Sequence, residues 1–129
     1  MPDAPQVRFL SLFVPNLEQS VAQYQKMLGV APVQGSGNAV ASHPFAARGP
    51  VVFQLGEVSL ALYECDQQTT HPGDVGIGLS VDDGQLVNRF REQGGNVFLS
   101  PASGDAQPLA IGMFPDRHFF EIVGPKPAL

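Results

Sequence analysis

Residues 7–30 read VRFLSLFVPNLEQSVAQYQKMLGV, and the fold follows from how this stretch has to divide. Val7 to Val14 are almost all apolar or small, with the β-branched and aromatic members that suit a pleated surface, so they predict a strand. Pro15 ends it, because proline has no N–H for a ladder and disfavours a helical residue before it. Asn16 is a good helix cap, and Gln19 sits three residues on, within reach of the cap's N–H. Leu17, Val21, Tyr24 and Leu28 recur at steps of four, three and four, which is one face of an amphipathic helix. Gly29 closes that helix as a left-handed C-cap.

The same order returns later in the chain. Val75 to Val81 predicts a strand, Asp82 or Asp83 a cap, and Leu86, Val87 and Phe90 the apolar face of a helix running to Gln93, with Gly94-Gly95 as its stop. Asn96–Ser100 is a strand and PASGDAQ (101–107) a loop. Leu109–Phe114 and Phe119–Val123 form a hairpin around Pro115 to His118, before a tail, GPKPAL, that either frays or lies along the surface. In the first half, residues 31–42 hold two short strands or one irregular edge strand. Residues 42–50 read as a loop, and Val51–Leu55 and Val58–Glu64 as a hairpin about Gly56-Glu57. The halves overlay at an offset of about 66 residues, as a pattern rather than as sequence identity. Neither βαβββ unit can bury both its helix face and its sheet alone. The expected architecture is therefore α+β: two βαβββ modules (6–65 and 75–124, linker 66–74) in one domain spanning 1–129. A curved mixed sheet would surround a cleft that takes a ligand.

Composition excludes several classes of function. The 129 residues are 43% hydrophobic and 15% charged, which suits a globular domain with a real core. Twelve acids against seven bases give a net charge of −5 with no basic cluster, so neither nucleic acid nor an anionic membrane surface is an expected partner. No apolar run approaches the ~20 residues of a membrane span, and MPDAPQ has no secretory pattern, so the expected location is the cytoplasm. A single cysteine, Cys65, excludes an internal disulfide and a multi-cysteine metal site.

Three stretches, VPNLEQSVAQYQKMLG (14–29), IGLSVDD (77–83) with REQGGNVF (91–98), and FPDRHFFEIVG (114–124), resemble the vicinal oxygen chelate superfamily. That superfamily includes glyoxalase I, extradiol dioxygenases, and the bleomycin and fosfomycin resistance proteins. The resemblance covers nearly the whole chain and implies the glyoxalase/bleomycin resistance fold. Catalytic members hold a divalent metal with two His and one or two Glu from four strands. Those positions fall here on Phe9, Leu60, Gly76 and Glu121, and a shift of one at Leu60 brings in Ser59 or Ala61. Only Glu121 can ligate, and zinc sites take at least three protein ligands. The resemblance then implies a protein closest to the bleomycin-resistance-like binders: no metal, no cofactor, a small-molecule ligand and a homodimer. Strand alternation from those positions lines the cleft with Phe9, Ser11 and Phe13, with Leu60 and Leu62, with Gly76 and Gly78, and with Phe119 and Glu121.

Each candidate has a plainer reading. Glu121 is either a general base or hydrogen-bond anchor, or a relic of an ancestral site. Phe9 and Phe13 either stack on a ligand or fill the cup. His43, His71 and His118 read as surface or structural residues without metal-site spacing. Cys65, between Glu64 and Asp66, lacks a basic neighbour to activate it. GSGN (35–38) reads as a turn rather than a phosphate loop, Arg48 as a surface residue that could meet a ligand carboxylate, and Tyr63 as core. The expected function is binding of an apolar or aromatic small molecule. The alternatives are a lyase, isomerase or dioxygenase using Glu121 with or without a metal, His43 or His71 swinging in as ligands, and an interaction module whose cleft is filled by its own Phe residues.

Overall fold

The computed structural model describes residues 6–39, 43–80, 85–100, 109–113 and 119–123. Among them, seven strands and two helices run β1 (Gln6–Val14), α1 (Leu17–Leu28), β2 (Ala46–Leu55), β3 (Val58–Cys65), β4 (Val75–Ser80), α2 (Gln85–Glu92), β5 (Asn96–Ser100), β6 (Leu109–Met113) and β7 (Phe119–Val123). The class is α+β, with parallel and antiparallel pairs in each half. The chain divides into two compact units, residues 8–75 and residues 76–129 with 1–7. No helix among the described residues is long and apolar enough to cross a membrane.

In the unit 8–75 the strand order is β2-β3-β1, with β1 parallel and β2 antiparallel to β3. Helix α1 starts as its sequence requires: Asn16 is extended and its Oδ1 accepts the Gln19 N–H at 3.0 Å. Gly29 ends it at φ 74°, donating to the Gln25 carbonyl. Its stripe of Leu17, Val21, Tyr24 and Leu28 packs on Leu12, Val14, Val51, Phe53, Leu60 and Leu62. Burying each large side chain of this layer contributes about 1.5–3 kcal/mol.

Charge pins the start of α1 to the sheet. Arg48 on β2 bonds both Glu18 oxygens at 2.6 and 2.8 Å, and both Glu64 oxygens at 2.7 and 3.1 Å. Glu64 also accepts the Leu17 N–H at 3.4 Å, at the positive end of the helix. The Arg48 hydrogen bonds hold Glu18 at about 2 and lower Glu64 as well. Because both folded values lie below the ordinary 4.5, this stabilisation is present above pH 4.5 and is lost as pH falls toward 2. Arg48→Met is expected to flatten the pH dependence of the melting temperature across that window, with little change in fold.

Two stretches differ from the sequence reading. Of the strands expected in 31–42, the described residues retain a single bridge, Val33 to Val52. The chain turns at Gly35 and Gly37 (φ 80° and 54°) and is tied down by the Asn38 N–H on Ser59 Oγ at 2.9 Å. Conversely, β2 begins at Ala46, inside the expected loop. Gly49 and Pro50 are absorbed in register shifts between Ala46 and Val51, so a strand bulge accommodates them.

The 66–74 segment, expected as a linker, is closed by its own hydrogen bonds. Asp66 Oδ1 accepts the N–H groups of Gln68, Thr69 and Thr70 at 2.7–2.9 Å, and Thr70 Oγ1 donates to the Phe45 carbonyl at 2.6 Å. Burial raises the Asp66 carboxyl, but these amides together outweigh it and hold it at about 2. Its folded value lies below the ordinary 3.8, so its contribution is present above pH 3.8 and disappears as pH falls through about 2. Asp66→Ala is expected to cost about 1–2 kcal/mol in urea unfolding at pH 7, like loss of a helix cap.

In the other unit the order is β4-β7-β6-β5, with β4 parallel to β7 and the rest antiparallel. Helix α2 buries Val87 and Phe90 against a layer that includes Ala110, Ile122, Val97 and Phe120. Phe90 lies directly over Gly95 and Gly112, and a Cβ on Gly112 would come within 2.6 Å of its ring. The caps expected at Asp82 or Asp83, the 101–107 loop, the 115–118 turn and the tail lie outside the described residues.

Candidate functional site

Register decides which side chains share a face, and it corrects one expectation. In the parallel β1–β3 pair Phe9 lies beside Ser59, Ser11 beside Ala61 and Phe13 beside Tyr63. These six share the face away from α1. Leu60 and Leu62, expected beside Phe9, lie with Leu10 and Leu12 and pack under α1. The wall from β3 is thus Ser59, Ala61 and Tyr63, one residue out of step. The apolar stripe of α1 needs the two leucines on its own side, and period-two alternation carries the rest of the strand with them.

The face away from α1 is dry. Phe9 and Phe13 are 1% exposed, and Ser11, Ser59, Ala61 and Tyr63 are fully buried. Phe13 stacks on Tyr63 at 5.5 Å, and the His43 ring meets both edgewise at 5.1 and 5.2 Å. His43, expected at the surface, is buried at 5% exposure. The Phe45 N–H donates to its Nδ1 at 3.0 Å, which places the proton of the neutral ring on Nε2. Ser59 Oγ donates to Gln54 Oε1 at 2.6 Å and accepts the Asn38 N–H. Tyr63, read as core, is fully buried, and Cys65 is buried on the same face. Phe13 is therefore held by its own unit's aromatic side chains.

In the other unit, alternation and register agree. Gly76 pairs with Phe119 and Gly78 with Glu121, so all four positions share the face away from α2. Across β6, Glu121 pairs with Ile111, and Ile111 with Phe98 on β5. Glu121 is fully buried, Gly78 and Ile111 are buried, and Phe98 is 45% exposed at the rim. A carboxylate thus sits mid-face between a strand position without a side chain and an aliphatic one. Such a group can accept a hydrogen bond or a proton from a molecule lying along the glycine side.

The residues do not fit the divalent metal that the sequence resemblance implies for catalytic members. In the unit 8–75 the facing strands offer Phe9, Ser11, Ser59 and Ala61, none a strong divalent-metal ligand. The β4–β7 face offers one carboxylate, Glu121, and among the described residues no three His, Cys, Asp or Glu converge. Arg48 is committed to Glu18 and Glu64 rather than aimed at a ligand. His71 is exposed in the 66–74 segment, and His118 lies outside the described residues. The GSGN stretch forms turns, and among the described residues no helix follows it, as a phosphate loop would need. A surface depression of about 470 Å³ beside Lys26 and Val30 holds none of the candidates.

No protein-family model and no curated protein matches this chain. Solved structures do. A hypothetical protein from Bacillus halodurans C-125 is similar at 13% identity and TM-score 0.68, over 98% of this chain and 99% of that one. The NAD-dependent benzaldehyde dehydrogenase from Legionella pneumophila is similar at 18% and 0.59, over 92% and 98%. A glyoxalase/bleomycin resistance protein/dioxygenase superfamily member from Vibrio splendidus 12B01 is similar at 14% and 0.57, over 95% and 100%. At these identities the likeness speaks to fold, and one fold hosts many chemistries. The chain has the α+β fold of that glyoxalase/bleomycin resistance protein/dioxygenase superfamily member.

Proposed function

We propose that the protein binds a flat apolar or aromatic small molecule against the sheet face that carries Glu121, without a catalytic metal. The observation behind this is the fully buried Glu121 carboxylate, in register with Gly78 on one side and Ile111 on the other. Gly78 carries no side chain to block a ring, and Ile111 and Phe98 offer apolar contact. Glu121 accepts one hydrogen bond from a ligand hydroxyl or amine, which sets orientation more than affinity. A lyase, isomerase or dioxygenase of this fold would have to work from that single carboxylate, and the donor sets above do not supply a metal to help it. Homodimerisation and a cytoplasmic location belong to the same proposal. Sedimentation should then give one species of twice the 13.7 kDa chain mass.

Calorimetric melting with a panel of substituted benzenes and naphthalenes tests the binding. A ligand at one hundred times its dissociation constant should stabilise by about 2.7 kcal/mol. Gly78→Val should abolish that shift while leaving a cooperative unliganded melt, and Glu121→Gln should weaken hydroxyl- and amine-bearing probes selectively. If Gly78→Val keeps the full shift, the ligand does not lie on this face.

A further inference from the structure

His43 combines burial with a backbone partner that leaves its ring no place for a second proton. The ring is buried, set edgewise to Phe13 and Tyr63 at 5.1 and 5.2 Å and tilted against Phe45 at 5.9 Å. Its Nδ1 accepts the Phe45 N–H at 3.0 Å, so a proton added to Nδ1 would meet another donor head-on. The backbone of the turn is fastened without the ring. The Ala46 N–H donates to the His43 carbonyl at 3.3 Å, and Thr70 Oγ1 donates to the Phe45 carbonyl at 2.6 Å. The ring can therefore leave while the turn stays. Among the described residues, the titratable groups on the face it covers are the Tyr63 phenol and the Cys65 thiol of β3, of a kind that ionises in alkali. β1 and β2 add none there. In the 66–74 segment, Asp66 Oδ1 is engaged by three amides and Asp74 Oδ2 by the His71 N–H. Arg48, Glu18 and Glu64 lie on the opposite face, with α1.

We infer that His43 is a proton-operated plug: the neutral ring seals the edge of the Phe13–Tyr63 stack, and the imidazolium swings out, so that acid opens this corner of the unit 8–75. The plug is independent of the ligand proposed for the other unit. Amide exchange of the full chain, followed by NMR from about pH 7.5 to about pH 5.5, spans the ordinary histidine range and tests it. The Phe45 amide is compared with the Val33 amide, which donates to the Val52 carbonyl at 2.8 Å in the same unit. Below about pH 6.5, the opening constant of Phe45 relative to that of Val33 should rise about ten-fold per pH unit, one proton being taken up at each opening. His43→Gln should hold that ratio constant, and His71→Gln should leave the rise intact. A constant ratio in wild type, or the same rise in His43→Gln, overturns the inference. Where His43→Gln does not fold, the wild-type ring signals decide. The carbon-bound ring protons of His43 should move to their imidazolium positions only as Phe45 loses protection. A ring that takes its proton while Phe45 stays protected, held in place by the faces of Phe13 and Tyr63, also overturns the plug.

Discussion

Phe13→Ala is expected to destabilise the protein by about 3–5 kcal/mol, a large share of the stability of a domain this size. The ring is 1% exposed, stacked on Tyr63 and met edgewise by His43. Deleting it removes the transfer free energy of a buried aromatic and leaves a cavity between partners tied elsewhere, Tyr63 by the β3 ladder and His43 by the Phe45 N–H. Collapse around the gap is thus limited, which sets the cost toward the upper end. Urea unfolding measures it directly. A loss below about 1 kcal/mol would show that Phe13 is held loosely and is free to serve a ligand instead. Phe13→Leu, which retains most of the volume, should recover more than half of the loss.

Gly49→Ala is expected to cost about 3 kcal/mol or more. The residue has φ 118°, a region that side-chain-bearing residues occupy at about 1–3 kcal/mol of strain. An added Cβ would also stand 2.9 Å from the Leu62 carbonyl oxygen and 3.1 Å from the Tyr63 Cα. Both are backbone of a central strand, so neither can yield cheaply. The contrast is Gly29, at φ 74° with nothing within 4 Å of an added Cβ. Gly29→Ala should cost only about 1 kcal/mol of conformational strain. Equal effects at the two positions would contradict the close packing of the bulge.

Much of the fold was legible because local and tertiary demands coincide. Asn16, Gly29 and the Leu17-Val21-Tyr24-Leu28 stripe each specify α1 alone, and the sheet beneath satisfies all of them together. Where tertiary context overrode local chemistry, the reading slipped. Gly49 and Pro50 suggested a loop, but the β3 ladder holds β2 through a bulge that needs a glycine. Val33, in a segment expected to form strand, contributes one bridge because turns at Gly35 and Gly37 redirect the chain.

At the candidate site the resemblance placed Gly76 and Glu121, and alternation from Gly76 added Gly78, in keeping with the β4–β7 register. The β3 wall was not legible in this way. Ser59, Ala61 and Tyr63 alternate with Leu60 and Leu62, and all five suit a buried strand, so either set could have faced inward until the α1 stripe decided it. His43 escaped because burial of a loop histidine depends on long-range partners, Phe13 and Tyr63, that no local window contains.

Calorimetric melting of chelator-dialysed protein, with the aromatic panel added in the presence of EDTA, tests metal-free ligand binding most directly. The expected result is a stabilising shift of the same size with and without EDTA, and no change when zinc, nickel, iron or manganese is restored. A shift that vanishes in EDTA and returns with one of those ions would contradict metal-free binding, and would require ligands to join Glu121 at the metal.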